Sequence, residues 1–357
     1  MKTLFSSFLV AFLFLSISSC HQKSKNNTKE NIRPIHDTIG FAQYNWQMDS
    51  IYKRLNLKDK KNNQHWKAVI CPHDDYKYAG KLYHSSLKGV NANIIILIGV
   101  AHRARNYKLQ DKIIFGSFTH WKSPYGKVKI SALNNKIQQQ LSKKDYIVHD
   151  SMQVLEHSLE AIIPFLHKKN KDIEIIPILV PYINYKSIDL ISSNLSNVVS
   201  ALLKENHLSF GKDVAIVISN DAVHYGNEKW GGSNLAPYGV DSLGNAKAVL
   251  HDKKIINSYL IGQLNMDKIK DFTQETVQKT DYKKYKWVWC GRYSVPFGLA
   301  LANKINLKQN NTSLQGTFLN YETSIDHPLI KVEDILMGTT AIATQKHWVA
   351  YASIKYE

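Results

Sequence analysis

The stretch Ala68-Val69-Ile70-Cys71-Pro72-His73-Asp74-Asp75-Tyr76 sets a short apolar run directly against a cluster of reactive side chains. A second stretch repeats the pattern: Ile94–Ile98 runs into Gly99-Val100-Ala101-His102-Arg103. A continuous β-branched run without polar alternation is the mark of a strand covered on both faces. Lys112–Phe115, Ile173–Val180, Val214–Ser219 and Trp348–Ile354 read the same way. Between these runs, Leu133–Leu141, Leu155–Leu166, Ile188–Leu203 and Pro296–Ile305 carry apolar residues at helical spacing. Alternating strands and helices predict a layered α/β domain with a mainly parallel or mixed sheet. Ligands in such sheets sit where strands end and loops begin, which is where this chain keeps its polar, reactive residues.

Three further clusters accompany the first two. Leu155-Glu156-His157-Ser158-Leu159-Glu160 opens a predicted helix, with His157 pointing away from the stripe formed by Leu155, Leu159, Ile162, Ile163 and Leu166. Glu156 and Glu160 read there as favourable charges in a first helical turn. Ser219-Asn220-Asp221-Ala222-Val223-His224-Tyr225-Gly226 follows a strand, and Trp287-Val288-Trp289-Cys290-Gly291-Arg292 precedes a helix. Any one histidine at a strand end is more often structural than a ligand. Four such segments with a cysteine in a fifth supply imidazole, thiolate and carboxylate, a set suited to iron, copper or zinc. None has the close spacing of a zinc finger, so the ligands must converge in three dimensions.

These segments, in order, resemble the Memo family. The matching motifs are Pro-His-x-x-Tyr-x-Tyr-x-Gly at 72–80, Gly-x-x-His at 99–102, Glu-His-Ser-Leu-Glu at 156–160, Ser-x-Asp-x-x-His-Tyr-Gly at 219–226, Cys-Gly-Arg at 290–292 and Phe-Leu-Asn-Tyr at 318–321. The resemblance implies a single α/β/α sandwich similar to class III extradiol dioxygenases. It places metal ligands at His73, His102 and Cys290, with iron or copper ahead of zinc. His224 then falls to an acid/base role or a fourth ligand, Asp221 to its orienting partner, and His157 to the catalytic wall. Asp74, Asp75, Tyr76, Arg292 and Cys71 fall around the ligands. Where dioxygenase relatives use a carboxylate this chain has Cys290, a softer donor, so dioxygenase activity does not simply carry over. Two departures stand out: Asp74-Asp75 replaces the family's usual Ala-Gly, and Cys71, two residues before His73 on the same strand face, reads first as a buried apolar cysteine and alternatively as an extra ligand or oxidised partner of Cys290. The implied function is a metal-dependent redox enzyme acting on a small molecule. The competing readings are a non-catalytic metal-handling protein and a ligand- or peptide-binding module.

Composition bounds the rest. Of 357 residues, 44% are hydrophobic and 11% aromatic, enough for a packed core. The charge of +17 comes from Lys scattered over solvated faces; Arg is scarce and no nucleic-acid module is present, so nucleic acid is not an expected partner. Met1-Lys2, the apolar run Leu4–Ile17 and Ile17-Ser18-Ser19-Cys20 resemble a bacterial lipoprotein signal. That reading predicts a signal over 1–20, a lipidated Cys20 anchored to a membrane of the cell envelope, a disordered tether over 21–37 and the domain over 38–357. Relatives are often associated with a radical-SAM protein; an exported copy would not meet it.

Overall fold

The computed structural model describes residues 30–58, 63–226 and 235–357; the signal, Cys20 and most of the predicted tether lie outside the described residues. The strands are β1 (Ile32–Arg33), β2 (Ala68–Cys71), β3 (Ile94–Val100), β4 (Ile113–Phe115), β5 (His120–Ser123), β6 (Gly126–Ile130), β7 (Tyr146–Val148), β8 (Glu174–Val180), β9 (Val214–Ser219), β10 (His224–Gly226), β11 (Gly262–Gln263), β12 (Gln315–Thr323) and β13 (His347–Tyr356). The helices are α1 (Asn45–Arg54), α2 (Tyr76–Leu87), α3 (Ala132–Gln140), α4 (Asp150–Leu155), α5 (Ile163–Lys169), α6 (Tyr185–Glu205), α7 (Ser242–Ile255), α8 (Met266–Thr276) and α9 (Ser294–Asn310).

The sheet runs β1-β5-β6-β8-β3-β9-β2-β13-β12-β11. Its centre, β6-β8-β3-β9-β2, is parallel, and β13 joins β2 antiparallel. Successive residues of the central strands enter opposite cores. Ile96, Ile98, Ile216 and Ile218 pack with α3, α6, α8 and α9, while Ile95, Leu97, Ala215 and Val217 pack with α1, α2 and α5. Both faces are covered, which is why these strands carry no polar alternation. The α/β/α sandwich expected from the sequence is what forms.

Two expectations need correction. Residues 155–166 are not one helix: α4 stops at Leu155 and Glu156 takes extended dihedrals (φ −100°, ψ 124°). A turn follows before α5. The break is held by Arg33, whose guanidinium donates to the carbonyl of Glu156 at 2.9 Å and to that of Val154 at 3.0 Å. The tether also ends sooner than 37. From Asn31 the chain is packed: β1 pairs with β5, and His36 and Asp37 donate backbone N–H groups to the Glu160 carboxylate. The fully buried Arg33 also pairs with that carboxylate. Its composition predicted a solvated tether; most of residues 31–37 do stay exposed, but one buried cation fixes them to the domain.

Candidate metal centre

Adjacent strands β3, β9 and β2 end on one edge of the sheet and deliver most of the reactive residues. His73, Asp74 and Asp75 lie between β2 and α2, His102 follows β3, and Asp221 and His224 follow β9. Cys290 comes from the turns ahead of α9 and is fixed by its N–H donating to the carbonyl of Asp221 at 3.0 Å.

His73 is buried, and its tautomer is set by its neighbours. The hydroxyl of Ser219 donates to the carbonyl of Ser158 at 2.7 Å. The Ser219 oxygen is therefore left to accept from His73 Nδ1–H at 2.8 Å. The lone pair then sits on His73 Nε2, which is buried without a hydrogen-bond partner and lies 3.3 Å from Asp221 Oδ2. A lone pair facing a carboxyl oxygen in a dry space calls for a proton or a cation between them. Asp221 serves His73, not His224 as expected: its other oxygen accepts the His73 backbone N–H at 2.9 Å. Burial and the charge of Asp74 push the Asp221 carboxyl well above its ordinary value.

His102 is held by Glu156, whose oxygens accept its backbone N–H at 2.7 Å and its Nδ1–H at 2.9 Å. A carboxylate on Nδ1 directs Nε2 into the site and raises its basicity. Burial disfavours a charged His102, but Glu156 and Cys290 outweigh burial and raise its pKa well above the usual value. Burial alone would lift the Glu156 carboxyl; His102 instead draws it down to about 2. Glu156 is thus a site residue that the helical reading hid.

Cys290 Sγ lies 3.0 Å from His224 Nε2. Burial raises the thiol, partly offset by His102. Burial and the charge of His102 hold His224 neutral, with its pKa down to about 3. His157 lines the same cavity, its ring stacked 4.8 Å from that of His102 at 9°. Lone pairs in nearly parallel stacked planes do not converge on one ion without ring rotation, so His157 is better placed as a wall than as a ligand. Ligand atoms of His73, His102 and His157 lie within 4.8 Å of one another, as do those of His73, Asp221 and Cys290. Both sets could hold a metal ion, and His73 is common to them.

The surrounding positions separate cleanly. Cys71 and Cys290 are both free. Cys71 ends β2 in the core shared with α2, where its thiol meets Ser86, so it does not approach Cys290. Tyr76 is core, its hydroxyl on the carbonyl of Ala161 at 2.6 Å. Arg292 is buried with its guanidinium over Tyr285 and Tyr293, at 4.0 and 4.6 Å, and adds positive charge near Cys290. Asp74 accepts the Tyr351 hydroxyl at 2.6 Å, and Asp75 accepts the backbone N–H and hydroxyl of Thr340 at 2.6 and 2.7 Å. Asp75 (φ −45°, ψ 137°) needs no glycine. Gly40, at φ +81°, does require one: a Cβ there would stand 2.0 Å from the Asp75 carboxylate. Gly291 is equally constrained: a Cβ there would meet Asn220 Oδ1 at 2.2 Å, the atom that accepts its own N–H at 3.0 Å. A cavity of about 270 Å³ opens beside the ligands, walled by Phe41, Tyr78, Tyr285, Val288 and Trp348. His347 also lines it and had no motif to announce it.

A mixed α/β sandwich with histidine, cysteine and carboxyl groups gathered at the carboxyl ends of its parallel strands defines a protein built around one candidate metal centre. The sequence profile of the Memo-like protein family matches residues 42–335. The chain belongs to that family. Among curated relatives, a MEMO1 family protein of Aquifex aeolicus is 30% identical over 162 residues, 44% of this chain and 54% of that protein. One from Pyrococcus furiosus is 22% identical, covering 48% of this chain and 57% of its own length. The chain thus spans little more than half the length of these two. One from Pyrococcus abyssi is 22% identical over 296 residues, 82% of this chain and 91% of its own length.

Proposed function

We propose that this protein binds one iron or copper ion through His73 Nε2, His102 Nε2 and Cys290 Sγ, and admits a small molecule beside it. The observation that carries the reading is the unpartnered, buried Nε2 of His73, which belongs to both convergent groups, one with His102 and His157 and one with Asp221 and Cys290. Two imidazoles with one thiolate suit copper and iron as well as zinc, and of these we propose the two redox-active ions. Such an ion would supply Lewis-acid and redox chemistry to a bound molecule. The chain's own part is to hold the donors: Ser219 and Glu156 fix the two imidazole tautomers, and His224 Nε2, 3.0 Å from Cys290 Sγ, is placed to donate to the thiolate. The aromatic-walled cavity favours an open site over closed metal storage, and over a peptide module with no use for the ligands. Anaerobically iron-loaded protein exposed to nitric oxide is expected to give a new iron–nitrosyl electron paramagnetic resonance signal. A spectrum that neither nitric oxide nor azide alters would leave only a closed, metal-handling role.

We also infer that Cys20 is a lipidated N-terminus that holds the domain at a bacterial envelope membrane, on the strength of Leu4–Ile17 followed by Ser18-Ser19-Cys20. Radiolabelled palmitate fed to expressing cells should appear in the full chain and disappear in Cys20→Ala. Equal labelling of the two would remove the anchor.

A further inference from the structure

Asp252, on α7, lies outside the cavity and is fully buried. A carboxylate offers about four acceptor positions, and here four donors reach it. Trp287 Nε1–H and Trp289 Nε1–H donate to Oδ1 at 2.6 and 2.7 Å. The N–H of Val223 and the hydroxyl of Tyr321 donate to Oδ2 at 3.2 and 3.0 Å. Three of these donors belong to the two segments that carry His224 and Cys290. Val223 precedes His224 and Trp289 precedes Cys290. The two segments also bond directly: Val223 bridges Trp289, His224 N–H donates to the carbonyl of Val288 at 2.9 Å, and Cys290 N–H to that of Asp221. Asp252 therefore ties the segments together from behind, and Tyr321 completes it, giving a physical role to the Phe318–Tyr321 motif.

We propose that Asp252, saturated by Trp287, Trp289, Val223 and Tyr321, is a positioning residue that sets the Cys290 thiolate against His224 and His102 in the metal centre. The proposal deepens the metal-binding reading and rests on it for its metal readout. Removing the Asp252 charge frees both segments to shift, and removing the Tyr321 hydroxyl loosens the carboxylate that ties them, while the ligands themselves stay intact. Outer partners of metal ligands change affinity by about 10- to 100-fold, and that range is expected here.

The test uses the full chain and three variants: Tyr321→Phe, Trp289→Phe and Asp252→Asn. Each is titrated with Co(II), reading the thiolate-to-cobalt charge-transfer band, alongside the thermal midpoint of the metal-free protein. Without metal, the rate of Cys290 alkylation by iodoacetamide is followed by mass spectrometry. The expected result for folded variants is a weaker, shifted band, a 10- to 100-fold loss of Co(II) affinity and a changed Cys290 alkylation rate. Tyr321→Phe keeps the carboxylate and its three N–H donors, so it carries the test if Asp252→Asn does not fold. Variants that fold with the wild-type band, affinity and alkylation rate overturn the proposal. Should wild-type protein bind no Co(II), the metal reading falls, and the alkylation rates still decide whether Asp252 places Cys290.

Discussion

Cys290→Ala and His73→Ala should each weaken iron or copper binding by more than about 100-fold, the upper end of what losing an outer partner of a ligand costs. Each removes a proposed donor, and His73 is the one common to both convergent sets. In Cys290→Ala the His224 Nε2 loses its partner at 3.0 Å. In His73→Ala the Asp221 oxygen loses the imidazole facing it at 3.3 Å. Equilibrium dialysis of anaerobically purified protein measures both. Uptake that survives both substitutions would end the proposed ligand assignment.

The same titration has a pH dependence whose sign follows from the donors. His73 and His224 are held neutral by burial, so protons do not compete for them near neutral pH. His102 and Cys290 have raised pKa values in the metal-free protein, so both carry protons that an ion must displace. Affinity therefore climbs as pH rises toward those values, with about two protons released per ion in the neutral range. Proton release measured in weak buffer checks the number. An affinity that does not change as pH rises through the neutral range would place the ion on other ligands.

The second large effect concerns folding. Arg33→Ala should destabilise the domain by about 3–5 kcal/mol, the range for breaking a buried ion pair from one side. Its loss leaves Glu160 unpaired, already raised by burial, and strips donors from the carbonyls of Gln153, Val154 and Glu156. It also removes the guanidinium stacked 4.2 Å over Trp121. Denaturant unfolding gives the size, and a double variant with Glu160→Gln should recover part of it because the stranded charge is gone. A loss under about 1 kcal/mol, the level of an exposed pair, would show that the clamp is not what holds residues 31–37.

How far the sequence led depends on the kind of signal. The central strands were legible because both faces are covered, so burial is written in every residue of Ile95–Ile98 and Val214–Ile218. The segments of His73, His102 and Asp221 were legible because they follow those strands directly. The break at Glu156 was not, since Leu155, Leu159, Ile162 and Leu166 do keep helical spacing. What interrupts them is Arg33, 123 residues away from Glu156 in the chain, and no local pattern records that. Glu156, Asp252 and His347 were missed for a related reason. Their roles come from partners on other elements, and a lone acidic or imidazole side chain looks the same in sequence whether solvated or enclosed. The Asp74-Asp75 pair was visible as a departure, but its latch to Thr340 and its close approach to Gly40 are facts of packing.

The Arg33 clamp also makes the domain's entrance a mechanical handle. Any load applied ahead of Asn31 is borne by the two-residue pairing of β1 with β5 and by the guanidinium beneath it. That guanidinium holds the carbonyl of Glu156, and the Glu156 carboxylate holds the ring of His102. The first strand of the described domain thus has a two-contact path to a candidate metal ligand, so a pull on Asn31 would be felt as a change in ligand geometry at His102.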